Sequence, residues 1–241
     1  MRLPGRELQE ALGDKLPGDD ARQALADRYI ESVAGRPGGG PWRVLDLGCG
    51  IGTSVDYFRA RDPAVQWTGL DVQDSREVGQ RTRTDARFET FNGIAIPFPD
   101  ASFDLVYCKQ VLEHVRHPGP LLRETRRVLR HGGAFAGSTS QLEPYHSRSM
   151  WNYTPLGFAE LLSDAELELV ELRPGIDALS LIARRLVGPR KRFDRWWGGT
   201  SPLNRAIDLY GRARRLDARQ LNATKLLFCG HFAFLARRPE R

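Results

Sequence analysis

Between residues 42 and 140 short apolar runs alternate with stretches whose apolar positions recur every three or four residues. Runs of the first kind, around Val44-Leu45, Val65 to Leu70, Val106-Tyr107-Cys108 and Ala134-Phe135-Ala136, are short and uninterrupted, as in strands covered on both faces. Between them, Ser54-Val55-Asp56-Tyr57-Phe58 and Leu121, Leu122, Val128 and Leu129 keep helical spacing. Upstream, Ala24, Leu25, Tyr29 and Val33 predict a helix over 19–33 with acidic residues in its first turn. Residues 1–18 carry little pattern, and the Gly/Pro run at 35–41 breaks the chain before the first strand. Downstream, Thr154 opens a helix with Leu156, Phe158, Leu161 and Leu162. Alternation over 166–172 predicts a sixth strand, and His231 to Ala236 a seventh. The alternation of element types predicts an α/β domain, and 241 residues are ample for its core.

The most informative turn follows the first strand, where Asp46-Leu47-Gly48-Cys49-Gly50-Ile51-Gly52-Thr53 places three glycines at alternate positions behind a carboxylate. Glycines at such a place serve positive φ or close approach of a ligand to the main chain. A dinucleotide fingerprint needs G-x-G-x-x-G, but Thr53 stands at the third glycine position; no Lys-Ser/Thr pair closes a P-loop. Asp71 ends the second strand run, where a carboxylate can hold both hydroxyls of a ribose.

Four motifs in order extend the pattern. They are Asp46-x-Gly48-x-Gly50-x-Gly52; Pro97-Phe98-Pro99-Asp100-Ala101-Ser102-Phe103-Asp104; Val111-Leu112-Glu113-His114-Val115; and the Arg127-Val128-Leu129-Arg130-His131-Gly132-Gly133 turn. Over residues 42–140 this order resembles the class I S-adenosylmethionine-dependent methyltransferases of the small-molecule, type 11-like kind. The resemblance implies a Rossmann-like fold with a seven-stranded, mostly parallel sheet sandwiched by helices. It implies S-adenosylmethionine as methyl donor and S-adenosylhomocysteine as product. It also implies cofactor contacts from Asp46, Gly48, Cys49, Gly50, Gly52, Thr53, Asp71, Val72, Asn92, Gly93, Ile94, Lys109 and Gln110. Asn92 stands where the family carries an acidic residue, and its side-chain oxygen is expected to accept from the adenine amino group.

The residues after the fourth strand face the acceptor in this family. Cys108-Lys109-Gln110-Val111 lacks the proline-containing stretch of enzymes that methylate nucleobase amines, and Cys108 lacks the Pro-Cys setting of a cytosine-C5 nucleophile. Nucleobase acceptors are therefore disfavoured. Gln110, Glu113 and His114 resemble the Glu-x-x-Glu-His of quinone-biosynthesis O-methyltransferases, which is associated with a metal. The neutral Gln110 weakens that likeness, and no metal is expected. His114 is the candidate general base for a hydroxyl acceptor, with a structural histidine as the alternative. Tyr145, His146, Trp151 and Tyr153 are candidates for an aromatic wall over the acceptor, the alternative being a loop pinned by its own aromatics.

Charge changes the picture in one place. The formal net charge is +6, yet eleven Lys and Arg against three Asp lie between Arg184 and Arg219, leaving the remainder slightly acidic. Leu179, Ile182, Ala183 and Leu186 form one helical face there, and a second helix opens at Ser201-Pro202. Between them Arg190-Lys191-Arg192-Phe193-Asp194-Arg195-Trp196-Trp197 suits an anionic partner, with a solvated basic face as the alternative. The expected organisation is a single domain over 1–241. It comprises an N-terminal helical extension (1–41), a cofactor core (42–140), an aromatic loop, helix and strand (141–176), a basic helical insertion (177–224) and a last strand and tail (225–241). The three cysteines share no metal spacing and no apolar leader precedes the fold, so a cytoplasmic enzyme is expected, with peripheral membrane contact through the insertion. The expected acceptor is a small molecule, a sugar or a lipid-linked intermediate, methylated at oxygen. An RNA acceptor and a non-catalytic cofactor-binding regulator are the alternatives.

Overall fold

The structure, a computed structural model, describes residues 4–33, 40–188 and 191–240. The breaker residues 35–39 and Arg190 lie outside the described residues, as do the side chains of Lys191 and Arg192. Seven strands make one sheet: β1 (Arg43–Leu47), β2 (Gln66–Val72), β3 (Arg87–Phe91), β4 (Phe103–Lys109), β5 (Leu129–Ser140), β6 (Glu168–Pro174) and β7 (His231–Arg237). Their order is β3-β2-β1-β4-β5-β7-β6. The pairs from β3 across to β5 are parallel, and β7 runs antiparallel to both β5 and β6.

Ten helices accompany the sheet among the described residues: α1 (Arg6–Leu12), α2 (Asp27–Val33), α3 (Ser54–Arg59), α4 (Arg76–Gly79), α5 (Pro118–Val128), α6 (Pro155–Asp164), α7 (Ala178–Val187), α8 (Lys191–Asp194), α9 (Pro202–Arg214) and α10 (Ala218–Phe228). Both faces of the sheet are covered, which is why β1 and β4 read as continuous apolar runs. On one face Leu45, Leu47, Val106, Cys108, Phe135 and Phe234 meet Leu121, Leu122 and Phe158. On the other Val44, Leu105, Tyr107 and Ala134 meet Tyr29, Ile30, Trp42 and Phe58.

The structure departs from the sequence pattern in three places, and in the first two the cause is pairing with distant parts of the chain. The helix expected over 19–33 starts only at Asp27. The segment before it is irregular, with its polar groups engaged elsewhere. Arg173, almost fully buried, donates to Asp19 at 2.7 Å and Glu171 at 2.5 Å. The buried Lys225 donates to the Ala21 carbonyl at 2.5 Å and pairs with Asp208 at 2.7 Å. The patternless start contains α1, anchored where the Thr224 hydroxyl donates to the Pro4 carbonyl at 2.9 Å. The basic segment contains α10 as well as the two expected helices, opened by a reciprocal Asp217–Gln220 capping box.

Strand order reverses between β1 and β4, so the loops at their carboxyl ends splay apart and leave a crevice there. The glycine turn and the residues after β4 both lie on that edge.

Candidate active site

The glycine turn leaves β1 with positive φ at Gly48 (75°), Gly50 (52°) and Gly52 (82°). Packing accounts for two of the three. A Cβ on Gly48 would lie 2.2 Å from Val111 Cγ2, and one on Gly52 would lie 2.6 Å from Phe88 Cζ. At Gly50 the nearest atom would be Glu77 Cβ at 3.5 Å, an ordinary contact. Gly50 is thus kept bare by its backbone conformation and not by packing. Arg81 holds the turn in place: its Nη2 and Nε donate to the Gly50 carbonyl at 2.7 and 3.1 Å while the guanidinium lies 4.0 Å from the Phe88 ring centroid. Nothing in the sequence pattern singles Arg81 out.

Two carboxylates flank the turn. Asp46 is buried, accepts from the Ser54 hydroxyl, and has its pKa pushed up to about 7, chiefly by burial. Ser54 is itself held by Trp67 Nε1 at 3.0 Å. Asp71 accepts from the Gly50 amide at 2.8 Å and from the Val72 amide at 2.8 Å, with its pKa raised mainly by burial. Each Asp71 oxygen retains a lone pair beyond these bonds, which fits the proposed grip on vicinal hydroxyls. Val72 and Ile94 stand partly exposed beside it, and the bare Cα of Gly93 lies against Val72. They offer apolar surface of the kind a planar base needs. Cys49 is buried in the turn with its thiol pKa pushed up by burial, and Thr53 leads into α3 without capping it through its side chain.

Asn92 is placed differently from expectation. Its Oδ1 accepts from the amides of Ile94 at 2.9 Å and Ala95 at 2.8 Å, so both lone pairs are spent on shaping its own loop.

At the carboxyl end of β4, Lys109 and Tyr107 converge on Asp27 of α2: the Lys109 ammonium lies 3.3 Å from Asp27 Oδ1, and the Tyr107 hydroxyl donates to the same oxygen. This ties the N-terminal helix to the strand carrying the site. Gln110, with φ at 56°, bridges two buried carboxylates. In the amide orientation that satisfies all its neighbours, it donates to Glu113 Oε1 and Glu143 Oε2 and accepts from Ser138 Oγ, each at 3.2 Å. A neutral amide suits that position, since a third carboxylate would be repelled by the other two.

Glu113 and His114 sit in a short 3-10 turn, Leu112–His114. The fully buried Glu113 accepts from Thr139 at 3.1 Å and from Ser140 at 3.2 Å, and burial pushes its pKa up to about 7. His114 packs edge-to-face on His146 with ring centroids 5.1 Å apart. Its pKa is lowered, first by burial and then by His146. Its buried Nδ1 has no hydrogen-bond partner.

Of the aromatic-loop candidates, only His146 joins this group. Tyr153 belongs to the core, its hydroxyl donating to the Leu112 carbonyl at 3.0 Å. Trp151 Nε1 donates to the Val115 carbonyl at 2.8 Å, and Tyr145 projects into solvent. Trp151 and Tyr153 therefore brace the turn that carries Glu113 and His114, because their polar ends satisfy its free carbonyls. Cys108 is fully buried with its thiol pKa well above the ordinary value, unsuited to nucleophilic attack.

Comparison with known proteins matches residues 45–137 to the family model described as a methyltransferase domain. A probable S-adenosylmethionine-dependent methyltransferase of Mycolicibacterium smegmatis is 35% identical over 161 residues, 61% of this chain and 58% of that protein. A fatty-acid O-methyltransferase of the same species is 28% identical over 225 residues, 88% of this chain and 74% of that protein. The chain spans only 41–44% of the length of several other curated relatives it matches. Among solved structures, the 1,6-didemethyltoxoflavin-N1-methyltransferase of Burkholderia thailandensis, with S-adenosylhomocysteine bound, superposes with a TM-score of 0.55 at 19% identity, over 89% of this chain and 76% of that one. That likeness concerns the fold alone. Residues 45–137, which hold the glycine turn, its two carboxylates and the reversal of strand order, are a methyltransferase domain of the class I S-adenosylmethionine-dependent kind.

Proposed function

We propose that this protein transfers the methyl group of S-adenosylmethionine to an oxygen atom of an amphipathic or lipid-linked small molecule. Bound at the glycine turn, the cofactor supplies a methyl group already activated on a sulfonium. Gly48, Gly50 and Gly52 would lie along it, Asp71 would hold the ribose hydroxyls, and Val72 and Ile94 would flank the base. Asp46 contributes a buried negative charge to a site that takes a cationic ligand. The remaining task of the chain is to hold the acceptor in line, exclude water and accommodate its proton.

The observation that carries the oxygen assignment is His114, half-buried beside the crevice with an unpartnered ring nitrogen and a pKa below the ordinary value. It is neutral at pH 7 and meets a hydroxyl proton in the right form. A lipid-like acceptor draws support from the outer face of α7. Leu179, Ile182 and Leu186 are exposed there, and Arg185 of the same helix pairs with Glu143 at 3.2 Å, next to the site. The Mycolicibacterium relative that spans most of this chain is named for O-methylation of fatty acids.

The test is transfer of labelled methyl groups to a panel of fatty acids, hydroxylated lipids, polar polyols and RNA. Incorporation at oxygen into the amphipathic members is expected. With the hydroxylated acceptors, His114→Ala should lower turnover about 100-fold while leaving S-adenosylmethionine affinity nearly unchanged; a fatty acid, already a carboxylate, needs no base. Methylation confined to RNA, or an unaffected His114→Ala enzyme, would overturn the proposal.

A further inference from the structure

Glu113, His114 and His146 each offer a ligand atom within 4.8 Å of the other two, the one such His/Cys/Asp/Glu grouping among the described residues. Sequence alone argues against a metal here, because Gln110 stands where a second carboxylate would be needed. The structure replaces that missing ligand with a histidine from a different element. His146 lies in the loop between β5 and α6, and Ser149, three residues on, bonds back to it: the His146 amide donates to Ser149 Oγ at 3.3 Å. The loop is pinned on the 3-10 turn by the Met150 and Trp151 amides, which donate to the Glu113 carbonyl at 2.7 and 3.1 Å.

The lone pairs are arranged as a metal requires. His146 Nδ1 lies 3.2 Å from the Pro144 carbonyl and 3.8 Å from Glu143 Oε1, so it carries the proton and leaves Nε2 as the donor atom. A ligating histidine characteristically donates its other N–H to a carbonyl or carboxylate in this way. His114 presents a buried Nδ1 that no protein group satisfies. Glu113 has no Lys or Arg ion-pair partner among the described residues, whereas neighbouring Glu143 has Arg185. The hydroxyls of Thr139 and Ser140 orient the Glu113 carboxylate without neutralising it.

We infer that Glu113, His114 and His146 bind one divalent transition-metal ion of the zinc class, with the remaining coordination position open to an oxygen of the acceptor. Two imidazoles and one carboxylate are a donor set of catalytic rather than structural zinc sites, which keep a fourth position free. To place all three nitrogen and oxygen donors about 2 Å from a shared ion, the group, whose atoms lie within 4.8 Å of one another, closes around it. The inference deepens the proposed function: it rests on that reading for the use of the open position, and on geometry alone for the site itself. With the ion in place the His114 lone pair is spent as a ligand. In that state His114 would hold the ion in place of acting as general base, and the ion would supply the acidity that lets an acceptor hydroxyl give up its proton to solvent as it enters, before water is excluded.

The experiment is titration of chelator-treated full chain with Zn2+ by calorimetry and with Co2+ by visible absorption, without acceptor or cofactor. One Zn2+ per chain, with intense four- or five-coordinate Co2+ bands, is expected. Both should be weakened at least 100-fold by His146→Ala and by His114→Ala. His146 is only partly buried, so its variant keeps the fold, which far-ultraviolet circular dichroism checks. Absence of stoichiometric binding overturns the inference, and so does binding unchanged in His146→Ala, which would put the ion elsewhere. If no ion binds while His114→Ala still abolishes methyl transfer to oxygen, the metal site falls and the proposed function stands. If the ion binds as described but no oxygen acceptor is methylated, the metal site stands and the proposed function falls.

Discussion

Gly50 separates two reasons for a glycine that look alike in a sequence. Gly48 and Gly52 are excluded from carrying a side chain by Val111 and Phe88, so the fold itself requires them. A Cβ on Gly50 would meet only ordinary contacts with Glu77, so packing does not forbid it, and its bareness is the one we propose serves a ligand. Gly48→Ala should therefore lose about 3 kcal/mol or more of stability, combining left-handed strain with overpacking, visible as a large fall in melting temperature. Gly50→Ala should lose only about 1–2 kcal/mol while its S-adenosylmethionine affinity drops more than tenfold by calorimetry. Unchanged cofactor affinity in Gly50→Ala would place the ligand away from the turn. The glycines, Asp46 and Asp71 were legible before the structure because their residue types answer to local backbone and ligand chemistry. Arg81 was not, since its role comes from reaching 31 residues back to the Gly50 carbonyl. Asn92 misled because the same amide oxygen serves an adenine or its own loop equally well, and only the bonds to Ile94 and Ala95 decide.

Among elements, the strands were the most legible, since burial on both faces writes itself as unbroken apolar runs at β1, β2 and β4. Helix starts in the N-terminal region were not. Residues 19–26 carry a helical pattern, but Asp19, Ala21 and Gln23 are bound by Arg173, Lys225 and Trp196–Asn204 contacts far along the chain. Tertiary pairing of this kind overrides local propensity. The short α2 that remains is held to β4 through Asp27, which receives both the Tyr107 hydroxyl and the Lys109 ammonium. Asp27→Ala leaves the buried Tyr107 hydroxyl without its acceptor, at a cost of about 1–3 kcal/mol. Hydrogen exchange should show faster exchange at the Tyr29 and Ile30 amides of α2, with β1 and β4 little changed. Uniform acceleration across the sheet would instead mean that Asp27 supports the whole fold and not a separable cover.

At the scale of the molecule, a reversal of strand order puts the glycine turn and the Glu113–His114–His146 group on one edge. The C-terminal helices build a basic, partly apolar flank beside it, and no described helix is long and apolar enough to cross a membrane. The grouping of His146 with His114 is the part of the site least legible in the sequence. It joins residues 32 positions apart through a loop whose course is set by Trp151 and Tyr153. The identity of the ligand at the turn underlies all the rest, and calorimetric titration of the full chain with S-adenosylmethionine and with NAD tests it most directly. Asp46 holds a proton below about pH 7 in the free protein. A cationic ligand favours its ionised form, so binding at lower pH must first expel that proton. The expected result is one S-adenosylmethionine per chain, bound roughly tenfold more tightly at about pH 7 than at about pH 5.5, with proton release at the lower pH. Asp71→Ala should weaken it by about 2 kcal/mol, and NAD should bind no better than background. Tight NAD binding with no heat from S-adenosylmethionine at either pH would contradict the assignment of the site.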